Sequence, residues 1–226
     1  MPRSDNRTRL PADLRRKQIA VAARHVFAVS GLAGAKTRQI AEAADVTETI
    51  LYRHFSSKEE IFEAAILEPV EQLATDLMRL TAQFSRIDPK RRLELSQQVH
   101  DEIRRVVEEI TPLLGVALFS SRDTGRRFYC ERLVPLFDLA ADAIGQAMAA
   151  KQQKVMEPRV MLLVLVGMYL GVSLEALFAD RAVDWDGVTR DLTDIVAFGL
   201  FNASESGPGA GPTGRGAGTG RSTARA

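Results

Sequence analysis

The sequence predicts an all-α protein: a small N-terminal three-helix unit with a helix-turn-helix, then a larger helical body. Three observations predict it. Apolar residues recur at helical spacing along most of the chain, and no run alternates β-branched residues as a half-buried strand would. Residues 36–58, KTRQIAEAADVTETILYRHFSSK, read as two short helices joined by a tight turn, then the start of a third. The charge is also uneven: residues 1–58 hold eleven Lys/Arg and five Asp/Glu, while the whole 226-residue chain carries a net charge of only +1. A basic head on a mildly acidic body suits a localised nucleic-acid site, and it excludes a general polyanion binder.

Taken in order, residues 1–12 are a polar, arginine-bearing arm. Residues 13–67 form the DNA-binding unit. Asp13 is placed to cap a helix running to about Ser30, with Ile19, Ala22, Ala23, Val26 and Phe27 inward and Gly31 ending it. In the first reader helix, about 37–44, Ile40, Ala41 and Ala44 face inward, and Ala41 leaves room for a steep helix crossing. Asp45 tolerates the left-handed backbone that the turn requires. Thr47 caps the second reader helix, about 47–55, whose buried face is Leu51 and Phe55. Ser57 and Glu60 form an S-x-x-E capping box for the next helix, and Pro69 is expected to kink or break it.

Residues 68–203 are the body, with helices expected at about 90–110, 112–121, 126–151, 158–180 and 186–202. Pro112 and Pro158 sit near helix starts in this reading, and Pro135 leaves one boundary open. The longest apolar run, Val160–Val172, is shorter than the roughly 20 residues of a membrane helix, so a buried helix and no membrane are expected. Residues 204–226 are Gly, Pro, Ser, Thr, Glu, Ala and Arg with no large apolar residue, a composition that predicts disorder. Cys130 is the single cysteine, so an intrachain disulfide is excluded. The N-terminus lacks the apolar core of a secretory signal. Both features fit the cytoplasm.

Residues 14–67 resemble the N-terminal domain of the TetR family of bacterial transcriptional regulators. The resemblance rests on A-x-x-x-F (Ala23, Phe27), Gly31, T-R-x-I-A from Thr37, V-T-x-x-x-L-Y-x-H-F from Val46, and S-K-E from Ser57. It implies a homodimeric operator-binding protein, usually a repressor, whose body binds a small molecule that releases the DNA. The chain departs from the pattern in two places. Asp45 stands where the turn usually has Gly. Thr49-Ile50 replaces the usual small residue followed by Thr or Ser, which bears on operator sequence because Ile50 can meet a thymine methyl.

The DNA-binding candidates are Thr37, Arg38, Thr47, Glu48, Thr49, Ile50, Tyr52, Arg53, His54 and Lys58. By resemblance, Tyr52, His54 and Lys58 contact phosphates, which fix register. Arg53 and Arg38 have the fork that pairs bidentately with guanine, and Glu48 can accept from a cytosine amine. Simple solvation of Glu48 and packing of His54 against the first helix are the plainer alternatives. Arg3, Arg7 and Arg9 in the arm, like Arg215, Arg221 and Arg225 in the tail, are more simply incidental charge than minor-groove contacts.

In the body, Phe84, Val99, Ile103, Phe119, Phe128, Phe137, Met161, Leu165, Met168 and Tyr169 are candidates for an apolar ligand cavity, with plain core as the alternative. His100, Arg104, Tyr129 and Glu175 are polar groups available to orient a ligand. The expected effector, of unknown identity, is apolar or amphipathic. Val160, Leu163, Val164, Gly167, Leu170, Gly171 and Leu174, with Ile195, Val196, Phe198 and Gly199, exceed what one-sided burial needs. Paired with their twofold mates they make a dimer interface. A dimer places two readers about 34–36 Å apart on a near-palindromic double-stranded operator.

Three histidines and one cysteine show no metal-ligand spacing, and neither a Gly-rich phosphate loop nor a G-x-S-x-G elbow occurs. No enzyme, cofactor or metal is expected. Two alternatives to the ligand-released regulator stand: a DNA-binding regulator governed by a protein partner or by its abundance, and a helical enzyme with an incidental helix-turn-helix.

Overall fold

The computed structural model describes residues 10–84, 89–149, 156–179 and 181–195, and every regular element among them is helical. The N-terminal unit is α1 (Ala12–Gly34), α2 (Thr37–Ala43) and α3 (Glu48–His54). α4 (Lys58–Phe84) leads into the body, where α5 (Pro89–Phe119), α6 (Arg122–Phe128), a π turn (Tyr129–Leu133), α7 (Val134–Ala149), α8 (Pro158–Ala179) and α9 (Trp185–Asp194) follow. The arm through residue 9, the tail, and the candidates Val196, Phe198 and Gly199 lie outside the described residues, as does the side chain of Phe84.

One apolar core runs from Ile19 and Phe27 in α1, through Leu51 and Phe55 around α3, along α4, to Ile103, Leu162 and Tyr169 in the body. Phe27 and Phe62 meet edge to face at 5.1 Å where α1 crosses α4. α4 packs against α1, α5 and α7, and α5 packs against α8 and α9.

Several helix ends follow the sequence. Gly31 interrupts α1 at φ 64°, and Asp45 turns between α2 and α3 at φ 50°. The Thr47 hydroxyl accepts from the Ile50 N–H at 3.2 Å. Other ends differ. α1 starts one residue before Asp13, which lies in its first turn and does not cap it. Only half of the Ser57–Glu60 box forms: the Glu60 N–H donates to Ser57, but the Glu60 carboxylate takes the N–H and hydroxyl of Ser56, each at 2.7 Å.

The prolines bring the larger corrections. Pro69 does not break the helix; α4 continues through it to Phe84. The missing Pro69 N–H orphans the carbonyl four residues back, that of Ala65. The Arg24 Nε–H donates to that carbonyl at 2.7 Å, so the defect is repaired from α1. Pro112 likewise starts no new helix but lies inside α5. Pro135 follows the π turn, in which the Val134 N–H reaches back to the Tyr129 carbonyl, and this extra residue of winding absorbs the irregularity.

α8 is not a buried helix. It has 22 residues and a mean hydropathy of 2.2 over its most apolar stretch, so by length and composition it is long and apolar enough to cross a membrane. Leu162, Leu165, Tyr169 and Ser173 pack inward against α5 and α7, while Val160, Leu163, Val164, Gly167, Gly171, Leu174, Leu177 and Phe178 are exposed.

Candidate nucleic-acid interface

α3 presents its polar face because Leu51, at its centre, is fully buried and Phe55 locks its end. Glu48, Thr49, Tyr52 and Arg53 are therefore exposed, and Ile50 and His54 are half-buried at the flanks. Three candidates from two helices meet: the Tyr52 hydroxyl donates to the Thr37 hydroxyl at 3.4 Å, and Thr37 donates to the Glu48 carboxylate at 2.7 Å. This chain ties the start of α2 to the start of α3. Glu48 is thus held by a neighbour rather than merely solvated.

Arg38 stands on the same surface and pairs with Glu42 one turn along at 2.9 Å, a contact that raises its pKa. Both groups are exposed, so the pair is weak enough to exchange for a phosphate or base. Lys58 sits beneath the surface, its Nζ donating to the Ala35 carbonyl at 3.3 Å. Thr47 is exposed and its hydroxyl is the α3 cap, so it serves the helix before any phosphate.

Residues not anticipated as functional hold this surface in place. Arg16 donates to the His54 carbonyl at the end of α3, lies 4.1 Å over the Phe55 ring, and pairs with Glu60 at 2.8 Å. Gln18 donates to the Ala44 carbonyl at the end of α2 at 2.7 Å. Burial alone would raise the Glu60 pKa; the Ser56 N–H and hydroxyl, with Arg16, outweigh it and bring the group down to about 2. The signal was present in the sequence as polar residues at positions 16 and 18, one turn from the α1 apolar stripe. Their targets, however, lie more than twenty residues away.

In the body, Ile103, Phe128, Leu165 and Tyr169 belong to the packed core. Val99, Phe137, Met161 and Met168 are half-buried against it, and Phe119 is 83% exposed, so it lines no enclosed cavity. A cleft of about 280 Å³ opens instead between α5, α8 and the start of α9. Glu108, Thr111, Pro112, Ser173, Leu177 and Trp185 line it, and none of the ten expected cavity residues does. Nearby, Nδ1 of His100 meets the Tyr169 hydroxyl at 2.9 Å. Burial pulls the His100 pKa down to about 4 and pushes Tyr169 up to about 12. Arg104 is taken up by Asp101 and Glu108, and Tyr129 stacks edgewise on Phe137. Glu175 reaches Arg181 at 3.7 Å on the surface. Among the described residues no group of acidic, histidine or cysteine side chains could hold a metal ion.

A helix pair with a solvated, partly basic second helix, fixed to a third by its own side chains, is the arrangement of a DNA-reading domain. Residues 19–65 match the family described as bacterial regulatory proteins, tetR family. The HTH-type transcriptional activator FasR of Mycolicibacterium smegmatis is 41% identical over 76 residues, which span 33% of this chain and 35% of that protein. The match thus covers about a third of that relative's length. Among solved structures, the fatty acid degradation regulator FadR of Bacillus halodurans superposes with TM-score 0.63 at 17% identity, over 86% of this chain and 99% of that one. FadR of Bacillus subtilis, solved in complex with stearoyl-CoA, superposes with TM-score 0.58 at 17% identity, over 81% of this chain and 98% of that one. The all-α fold is therefore shared with these solved proteins.

Proposed function

We propose that this protein is a homodimeric, sequence-specific DNA-binding regulator of transcription. α2 and α3 read the major groove, and the body answers to a small amphipathic effector. The observation that carries the reading is the exposed, polar face of α3 held rigidly over a buried Leu51. Thr37, Arg38, Glu48, Thr49, Ile50, Tyr52 and Arg53 form the contact surface in this proposal. Thr47, His54 and Lys58 sit at its edges, and their backbone contacts set its shape.

Dimerisation is supported by the open apolar face of α8. Gly167 and Gly171 have no atom within 4 Å of where a Cβ would stand, so a partner helix has room to approach. An exposed apolar stripe of this length on a soluble fold marks an interaction surface. Pairing it with its twofold mate also accounts for a helix whose composition would otherwise suit a bilayer.

For the effector, the two FadR-type neighbours and the stearoyl-CoA found in one of them suggest a fatty acyl compound. The dense packing of Ile103, Phe128, Leu165 and Tyr169 favours the second reading, a regulator controlled by a partner or by abundance. The FasR relative is an activator, so a reporter gene placed behind the selected operator has to decide whether this chain represses or activates. The test is binding of the purified protein to random-sequence DNA under selection, across a salt series, with and without fatty acyl thioesters. A recovered near-palindrome bound by a dimer supports the proposal. Salt-sensitive binding with no sequence preference sinks it, because a basic head alone gives that much. Release by an acyl thioester then separates the first reading from the second.

A further inference from the structure

We propose that Arg24 is a positioning residue: through Glu109 it latches the reader unit to the body at one angle. The inference deepens the regulator reading and rests on it for its consequence, though not for its geometry.

Arg24 is only 5% exposed, although it is an arginine on the inner stripe of α1 beside Ala20, Ala23 and Phe27. Its guanidinium contacts three separate groups. Nε–H donates to the Ala65 carbonyl that Pro69 left without a helical donor. One terminal nitrogen donates to Glu68 of α4 at 2.8 Å. The other donates to Glu109 of α5. The planar guanidinium spreads its donors over three nitrogens and so reaches three separated groups, whereas a lysine carries its three donors on one nitrogen. The proline, the carbonyl and the arginine form one device, since α4 stays continuous past Pro69 with Arg24 in place of the missing N–H.

The Glu109 contact differs from the other two. Ala65 and Glu68 tie α1 to the connector helix, whereas Glu109 ties it to the body. Glu109 is also shared, its second oxygen lying 3.9 Å from Arg105 one turn back on α5. A second charged link from α4, Glu63 to Arg132 at 3.7 Å, has both partners about half-exposed and is correspondingly weak. More than the Glu63–Arg132 link, the Arg24–Glu109 contact, buried on the arginine side though partly open at the glutamate, resists rotation of α5 against α1. Movement of α5, which also forms one wall of the cleft at Glu108, Thr111 and Pro112, reaches the reader helices through it.

The proposal separates Glu109→Gln from Glu68→Gln. Each removes one carboxylate from the same arginine, but only the first cuts the tie to the body. In the full chain, Cys130 carries one fluorophore and Val29→Cys, an exposed site on α1, carries the other. Single-molecule energy transfer then reads the head-to-body distance. The expected result is a shifted or broadened distribution for Glu109→Gln and a distribution like the parent's for Glu68→Gln, even where Glu68→Gln melts at the lower temperature. On selected operators whose half-sites are moved by one base pair, Glu109→Gln should weaken the spacing preference at least threefold. A transfer distribution unchanged by Glu109→Gln overturns the latch. If the parent protein selects no operator, the regulator reading falls and the transfer distribution alone decides the latch.

Discussion

The reader unit and the body treat their backbone and polar groups in opposite ways. Around the reader, four loose carbonyls, three at helix ends and one inside α4, each have a side chain assigned to them. Lys58 meets the Ala35 carbonyl, Gln18 that of Ala44, Arg16 that of His54, and Arg24 that of Ala65. In the body, Pro112 removes the helical donor to the Glu108 carbonyl at the cleft wall. Among the described residues the Ser173 hydroxyl is buried without a hydrogen-bond partner, and the apolar face of α8 is open. A buried polar group left unmatched costs free energy, as does exposed apolar surface. The reader unit therefore satisfies its loose backbone groups within one chain, while the body leaves apolar surface and a buried hydroxyl unmatched, as the proposed dimer and effector would require.

The largest effect should come from removing the arginine that makes the reader unit complete. Arg24→Met leaves Glu68 without its partner, Glu109 with only the longer Arg105 contact, and the Ala65 carbonyl again without a donor. Loss of one partner from a buried ion pair costs about 3–5 kcal/mol, and since both carboxylates keep some solvent the low end, about 3 kcal/mol, is expected. Urea unfolding measures it. A loss under about 1 kcal/mol, the net worth of an ordinary hydrogen bond, would show that water repairs Pro69 as well as Arg24 does.

Acid should distinguish the two regions in order. The folded pKa of His100 is about 4, below its ordinary 6.5, so the unfolded chain takes up the proton first. Body stability is then fully present above pH 6.5 and is lost as pH falls toward 4. The loss amounts to about 3 kcal/mol at most for a shift of this size. Glu60 has a folded pKa of about 2 against 4.5, so its contribution is lost only between those values. Stability curves from pH 7 to 3 should drop in the upper window for the parent and flatten there in His100→Gln. An unchanged curve in that variant would remove His100 from the account.

Gly125→Ala should cost about 2 kcal/mol, within the range for overpacking a tight contact. A Cβ there would stand 1.9 Å from the Leu118 carbonyl oxygen, a backbone atom with little room to move. Thermal melting measures it, and a neutral result would mean that α6 is free to shift on α5. In the reader, Thr47→Ala should cost about 1 kcal/mol through loss of the α3 cap.

These contrasts explain what the sequence disclosed. Turns and caps are local, so Gly31, Asp45, Thr47 and the two reader helices were legible from a few residues each. The continuity of α4 was not, because the repair of Pro69 comes from a residue more than forty positions earlier. Position 24 passed without notice: a charge inside an apolar stripe does not say which distant carbonyl it serves. The cavity expectation failed at Phe119 for a related reason. Apolar periodicity marks which residues can be buried, while helix packing decides whether they meet a neighbour, a cleft or solvent.

The smallest effect is also the one with the opposite sign. Asp45 holds φ at 50° in the turn between α2 and α3, a region that costs an L-residue strain which glycine avoids. Its side chain is exposed, and the neighbouring bonds that close the turn, Asp45 N–H to the Glu42 carbonyl and Val46 N–H to the Ala41 carbonyl, are made by backbone. Asp45→Gly should therefore stabilise the reader by about 0.5 kcal/mol, the relief of strain being partly offset by the greater freedom of glycine in the unfolded chain. Removing a negative charge beside the proposed DNA surface should also tighten binding at low salt, with the gain fading as salt rises. A loss of stability would mean that the carboxylate supports the turn directly, and Asp45→Asn, which keeps a side-chain acceptor without the charge, would then recover it.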